Sequence, residues 1–92
     1  MKIVINDCFG SFKPSEEFYE YYNISDEDKE LISRTDCRLI EFIEKFGSEK
    51  ASSEYSNLVV KKLRKGTRYI IDEYDGCESI ITSNDIKWLI AR

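Results

Sequence analysis

Two phenylalanines enclose a glycine and a serine, Phe9-Gly10-Ser11-Phe12, directly after the first apolar run of the chain. Two interpretations of this motif are open. In one, the rings fold inward as the plug of a small core. In the other, they leave a notch lined by backbone, in which the planar base of a nucleotide stacks on an aromatic ring. The second interpretation makes this motif a ligand site.

Catalytic chemistry has few candidates, because the chain contains no histidine. Nucleophile pairs of the Ser-His and Cys-His type are therefore absent, and acid-base work is left to carboxylates, lysines, cysteines and tyrosines. Cys8 has no base or helix start placed to activate it, so packing is favoured over a nucleophilic role. Cys8, Cys37 and Cys77 are widely spaced, which indicates neither a disulfide framework nor a zinc site. We expect no catalysis, no metal and no cofactor.

The densest charge feature is a run of eight positions with five bases and no acid. Its bases are Lys61, Lys62, Arg64, Lys65 and Arg68. They are typical of a solvated hairpin that protects a sheet edge, or of a rim that attracts the phosphates of a small ligand. A nucleic-acid surface is the third alternative, but the net charge of −4 argues against a dedicated binder of long nucleic acid.

Arg34 and Asp36 come just before the clearest helical pattern in the chain. Exposed backbone N–H groups and the helix dipole attract anions at such a point, and an arginine there can fork onto a phosphate or a carboxylate. In the alternative interpretation, Asp36 only caps the helix and Arg34 pairs with a nearby acid.

A further candidate, Glu73-Tyr74-Asp75-Gly76, ends a β-rich run with an acid, an aromatic hydroxyl and a turn. Paired carboxylates at a strand end can bind a metal or the hydroxyls of a ribose. Asp-Gly is, however, first of all a turn-forming pair.

These candidates have to be positioned by one strand and two helices in the first half of the chain. Lys2–Asn6 is short, apolar and β-branched, which predicts a strand. Residues 15–23 predict a helix that begins at a capping serine. Cys37–Phe46 predicts a second helix, which ends at Gly47. The acidic stretch 25–34 predicts a loop with a short turn.

The second half predicts strands. Residues 48–56 form a polar, serine-rich connector whose composition favours mobility. Asn57–Leu63 and Thr67–Tyr74 are β-rich runs joined by Arg64-Lys65-Gly66, which predicts a hairpin. Cys77–Thr82 follows as a third strand, so the expected arrangement is an antiparallel meander.

We therefore expect a single α+β domain over residues 1–92, with an N-terminal strand and two helices followed by a C-terminal antiparallel β-meander. Residues 86–92 fit a helix and a strand equally well. The apolar stretch Ile3–Ile5 is far shorter than the core of a signal peptide, and no segment approaches the roughly 20 apolar residues of a membrane span. A cytoplasmic protein is expected.

Three stretches of the chain also resemble a group of small phage and prophage proteins. MKIVINDCFGSF and SEEFYEYY resemble its opening, M-K-I-V-I-N-x-C-F-G-G-F, and the serine-led helix after it. RTDCRLIEFIEKFG is similar to a segment R-x-D-P-x-L-I that ends in glycine, and IIDEYDGCESI is similar to an E-Y-D-G stretch. Matched by position are Asn6, Cys8, Phe9, Gly10, Phe12, Arg34, Asp36, Tyr74, Asp75 and Gly76. Ser11 replaces a glycine of the group, and Cys37 replaces a proline.

This group resembles the Thoeris anti-defence proteins of phages, which bind cyclic ADP-ribose-type immune signals and sequester them without catalysis. The resemblance implies an oligomeric nucleotide sponge in the cytoplasm of the host cell. We expect Phe9 and Phe12 to stack on a base, Arg34 to bind a phosphate, and Asp36 and Tyr74 to act as polar partners. The other expected ligand-binding residues are Asn6, Gly10, Ser11 and Asp75.

Two other functions stay open. One is a protein-interaction module that inhibits a host factor through its acidic surface and the tyrosines of the first helix. The other is a small metal-dependent hydrolase that uses Glu73 and Asp75.

Overall fold

The structure is a computed structural model that describes residues 1–82 of the chain. Within this range the elements follow in the order β1 (Lys2–Asn6), α1 (Glu16–Tyr21), α2 (Asp26–Lys29), α3 (Cys37–Phe46), α4 (Ser48–Ala51), β2 (Leu58–Lys62), β3 (Tyr69–Tyr74) and β4 (Cys77–Thr82). The predicted α+β class is confirmed. The prediction for residues 86–92 lies outside the described residues.

The strands form two antiparallel pairs, so the predicted three-stranded meander is wrong. β1 pairs with β2, with Asn6 opposite Leu58. β3 pairs with β4 around the predicted turn, with Tyr74 opposite Cys77. Arg64-Lys65-Gly66 therefore connects two sheets and does not form a hairpin between β2 and β3.

Burial explains this pairing. Ile3, Val4 and Ile5 are all buried, so both faces of β1 are covered. The apolar part of β2, Leu58–Val60, lies opposite the segment from Val4 to Asn6. A turn signal reflects only its own few residues, whereas this pairing is set by burial between distant parts of the chain.

The core lies between the β1–β2 pair and the helices. Its buried members are Val4, Phe18, Tyr19, Ile32, Leu39, Phe42, Ile43, Ala51 and Leu58. In α3, Leu39, Phe42 and Ile43 fall on one face because they are three and four positions apart. Phe42 meets Phe18 of α1 edge-on, with ring centroids 5.7 Å apart. This packing fixes α3 and the residues just before it.

The predicted helix boundaries are confirmed at the caps. Ser15 Oγ accepts a hydrogen bond from the Phe18 N–H at the start of α1, and Asp36 accepts one from the Arg38 N–H at 2.8 Å at the start of α3. Gly47 ends α3 with a φ of 94°, a conformation that glycine adopts at little steric cost.

The serine-rich connector is held by its own hydroxyl groups, although its composition predicted mobility. Ser52 Oγ donates to the Ser48 carbonyl at 2.6 Å and accepts from the Leu58 N–H at 2.7 Å. Ser56 Oγ donates to the Lys13 carbonyl at 2.7 Å. The connector therefore joins α3 to β2 along a fixed path, and it contains the short helix α4.

Candidate functional site

Three segments that are distant in sequence meet near the end of β1. The Gly10 N–H donates to the Asp75 carbonyl at 3.1 Å, and the Ser11 N–H donates to the Tyr55 carbonyl at 2.9 Å. A Cβ atom on Gly10 would collide with the Tyr55 carbonyl, and one on Gly76 would collide with the Gly10 carbonyl. We call Gly10, Tyr55, Asp75 and Gly76 the glycine junction. Two of its four positions require glycine because backbone packs directly against backbone.

The Asp75-Gly76 turn delivers the hairpin side of this junction. Asp75 has a φ of 50° and Gly76 a φ of 82°, and two positive φ values in succession are those of a type I′ hairpin turn. The pair therefore acts as a turn former between β3 and β4. The Asp75 side chain stays exposed to solvent beside the junction.

Asn6 lies beneath the junction and has no exposed surface (0%). Its Nδ2 donates to the Gly76 carbonyl at 2.8 Å and to the Cys8 carbonyl at 3.0 Å. Its Oδ1 accepts from the Asn57 N–H at 2.7 Å. The amide is therefore fully used inside the protein. Asn6, one of the positions matched in the resemblance, ties three segments of backbone together.

Cys8 is half-buried next to this amide, with its Sγ 3.4 Å from Asn6 Oδ1. The three cysteines of the chain, Cys8, Cys37 and Cys77, are all free thiols. The position of Cys8 fits the packing role expected from the sequence.

Phe9 and Tyr74 extend outward from the junction. Their side chains are 72% and 73% exposed, and the ring centroids are 6.3 Å apart at an interplanar angle of 73°. Tyr55, whose carbonyl belongs to the junction, is also exposed. We call Phe9 and Tyr74 the aromatic edge. Exposed rings on hydrogen-bonded backbone offer a face on which a planar group can stack.

Phe12 is half-buried and packs against the core. The Arg34 guanidinium carbon lies 4.5 Å from the centroid of the Phe12 ring, a cation–π contact. The two rings of the Phe-Gly-Ser-Phe motif therefore differ: Phe12 packs inward, as the first interpretation has it, and Phe9 is exposed. Ser11 is exposed between them and donates only its backbone N–H to the junction.

Glu78 of β4 is the residue that sequence reasoning missed. It is 5% exposed, pairs with Arg34 Nη2, and accepts the Asn6 N–H at 2.8 Å. Together with the Arg34 carbonyl, which accepts the Val4 N–H at 2.8 Å, it caps the edge of β1 that β2 does not cover. The only sequence signal was an acid in a short β-run after a tight turn, which is also typical of a solvent-facing strand position.

Arg34 is consequently oriented but not free. Phe12 covers one face of its guanidinium and Glu78 balances its charge, while 34% of the side chain remains exposed. Its Nε is buried without a hydrogen-bond partner among the described residues.

Asp36 acts on its own helix. Its carboxylate accepts from Arg38 Nε at 3.2 Å and from Arg38 Nη2 at 2.9 Å, in addition to its capping bond. Hydrogen bonding to Arg38 lowers the pKa of this carboxyl below its ordinary value. These contacts match the interpretation in which Asp36 caps the helix and Arg34 pairs with an acid, and that acid is Glu78.

The run of five bases at residues 61–68, which we call the basic segment, lies at the opposite end of the β1–β2 pair. Lys62 is opposite Lys2, whereas the junction is at the Asn6 end of β1. Four positions along a strand correspond to about 13 Å at roughly 3.3 Å per residue. The structure therefore does not place this rim beside the aromatic edge.

A groove of about 380 Å³ runs between β1–β2 and β4 and has opposite charges along its wall. Asp7 and Glu78 are at the junction end, and Lys61 and Lys62 are near the other end. Its apolar members include Ile5.

Within residues 1–82, no three acidic, cysteine or histidine side chains come together in a way that could hold a metal ion. Glu73 lies opposite Glu78 in the hairpin, and Asp75 forms the turn. No helix in the described part of the chain has the length and apolarity needed to cross a bilayer.

Comparison of the chain with protein-family models, with curated proteins and with solved structures found no match.

Proposed function

We propose that the protein binds a small nucleotide-like ligand, of the cyclic nucleotide or cyclic ADP-ribose class, and holds it without chemical change. The observation that carries this proposal is the aromatic edge: Phe9 and Tyr74 are exposed side by side on backbone that the glycine junction fixes. The resemblance to anti-defence sponges supports the same ligand class.

In this proposal, each side chain of the site makes one kind of contact with the ligand. A base stacks on Phe9 or Tyr74, which contributes about 1–3 kcal/mol. The exposed part of Arg34 donates to a phosphate, and its orientation is set by Phe12 and Glu78. Asp75, exposed at the turn, accepts from ribose hydroxyls. The absence of histidine fits binding without reaction.

A second copy of the chain completes the site in this proposal. The aromatic edge covers one face of a base and leaves the other face in water, so a partner edge would bury it. We propose a homo-oligomer in the host-cell cytoplasm, as the resemblance implies. Size-exclusion chromatography with light scattering should show more than one copy per particle.

Calorimetry with a panel of cyclic nucleotides and cyclic ADP-ribose isomers tests the proposal. At least one compound should give heat at tens of micromolar protein. Phe9→Ala should weaken its binding by about 5- to 150-fold, the equivalent of about 1–3 kcal/mol. Leu31→Ala, which truncates another exposed apolar residue away from the junction, should not change it.

The proposal would be contradicted if no compound of the panel gave heat. It would also be contradicted if Phe9→Ala and Leu31→Ala lost affinity equally. The ligand recovered after incubation should have its original mass. A hydrolysed product would instead support the metal-dependent hydrolase.

A protein-interaction module is the second candidate, and one observation favours it. Glu78 pairs with Arg34, so the charge that the first proposal assigns to a phosphate is already balanced, and exposed aromatic residues are typical interface hot spots. A host-lysate pull-down should then return one stoichiometric partner that Phe9→Ala loses. The same protein should give no heat with nucleotides.

A further inference from the structure

The basic segment forms a second charged surface, which the proposed function does not use. Its members Lys61, Lys62, Arg64, Lys65 and Arg68 are all exposed. Within residues 1–82, none of the five forms an ion pair. Four bases elsewhere in the described chain do contact carboxylates, namely Lys2, Lys29, Arg34 and Arg38.

The difference between paired and unpaired bases is clearest at two neighbouring lysines. Lys2 and Lys62 are opposite each other across the β1–β2 pair. Lys2 Nζ is bound to Glu44 at 2.7 Å, whereas Lys62 has no acidic partner in the described chain. Without the five bases, the remaining nine of the 14 face 18 acids, so the rest of the chain is strongly negative. The positive charge is concentrated at one end of an acidic protein.

The cations of β2 and of the turn after it diverge around this end. Lys61 and Lys62 are consecutive on β2 and point to opposite faces of the sheet. Arg64 and Lys65 lie in the turn that the Thr67 N–H closes onto the Arg64 carbonyl at 3.0 Å. A single phosphate requires donors that converge on one point. Divergent cations suit an anion whose charges are spread along a chain.

We infer that this basic end binds the phosphodiester backbone of nucleic acid without reading its sequence. This site is separate from the aromatic edge and does not depend on the proposed function. The net charge of −4 makes the binding weak and strongly dependent on salt. Because Lys61 and Lys62 point to opposite faces of the sheet, one of the two can contact phosphates together with Arg64 and Lys65 of the turn, which makes about three contacts at once.

Three phosphate contacts predict a measurable salt dependence. The logarithm of the association constant should fall with the logarithm of salt concentration at a slope of about −2.7 on duplex DNA. Between about 50 and about 200 mM salt, affinity should therefore fall about 40-fold.

Fluorescence anisotropy of the full chain with a labelled duplex of about 20 base pairs tests this inference. The double variant R64Q/K65Q should reduce the slope to about −0.9, which leaves only about a 3- to 4-fold loss over the same salt range. The double variant K13Q/K50Q, which removes two exposed charges elsewhere, should bind like the wild type.

Three results would overturn the inference. They are no binding at about 50 mM salt, equal losses in the two double variants, and competition by a polyglutamate peptide that matches competition by unlabelled DNA. The last result would assign this end to an acidic protein partner.

Discussion

Asn6→Ala removes the side chain that ties the loop after β1, the segment before β2 and the β3–β4 turn together. Three hydrogen bonds of 2.7 to 3.0 Å disappear. The Gly76 carbonyl is then buried without its partner, while the Asn57 N–H and the Cys8 carbonyl are only partly buried. A buried polar group without a partner costs about 1–3 kcal/mol, and partly buried groups recover some of this from water. We expect the free energy of unfolding to fall by about 2–4 kcal/mol.

Urea unfolding followed by circular dichroism measures this loss. With a slope of about 1–2 kcal/mol per molar urea, the midpoint should fall by about 2 M. The control is Asn57→Ala, which truncates an exposed amide that accepts one hydrogen bond from Ser48 at 3.0 Å. Asn57→Ala should lower the free energy of unfolding by only about 0.5–1 kcal/mol.

Hydrogen exchange adds a local measurement to the unfolding curve. The amides of Gly10 and Asn57 should exchange faster in Asn6→Ala, because each is bonded within or directly beneath the glycine junction. If Asn6→Ala unfolds within about 0.5 kcal/mol of the wild type, with both amides as protected as before, the structural role of Asn6 is refuted.

Three further variants test neighbouring features. Gly76→Ala should lose at least about 2 kcal/mol in thermal unfolding, because a clash adds to its positive φ, whereas Gly66→Ala has a similar φ with open space around it and should lose about 1 kcal/mol. Glu78→Gln and Arg34→Met should show a coupling of about 1–2 kcal/mol in a double-mutant cycle, and additive losses would refute the pair. Asp36 has a lowered pKa in the folded state, so its contribution is present above the unfolded pKa and is lost as pH falls through the folded value; Asp36→Asn should therefore cost about 1 kcal/mol near neutral pH and much less near pH 2.

Local structure was predictable where a few neighbouring residues determine it. The caps at Ser15 and Asp36, the stop at Gly47 and the Asp75-Gly76 turn depend on residues within about four positions, and the structure has each of them. The partner of β2 depends on burial between distant parts of the chain. A turn signal between β2 and β3 therefore predicted the wrong pairing.

In the candidate site, too, the features that depend on distant residues were not predictable. The sequence left both orientations open for Phe9 and Phe12, and distant residues decide between them: Arg34 covers Phe12, while Tyr74 lies beside Phe9. Burial of Glu78 was not predictable, because it arises only when the β3–β4 hairpin packs across the open edge of β1. The distance between the basic segment and the aromatic edge was not predictable either, because it depends on how β1 and β2 pair.

Native mass spectrometry of the protein, purified from cells in which a phage-defence system is producing its nucleotide signal, tests the central proposal most directly. We expect the wild-type protein to be an oligomer that carries a retained nucleotide of unaltered mass, and the Phe9→Ala protein from the same cells to carry none. A wild-type protein that emerges without any bound nucleotide, or a Phe9→Ala protein that retains as much as the wild type, would contradict it.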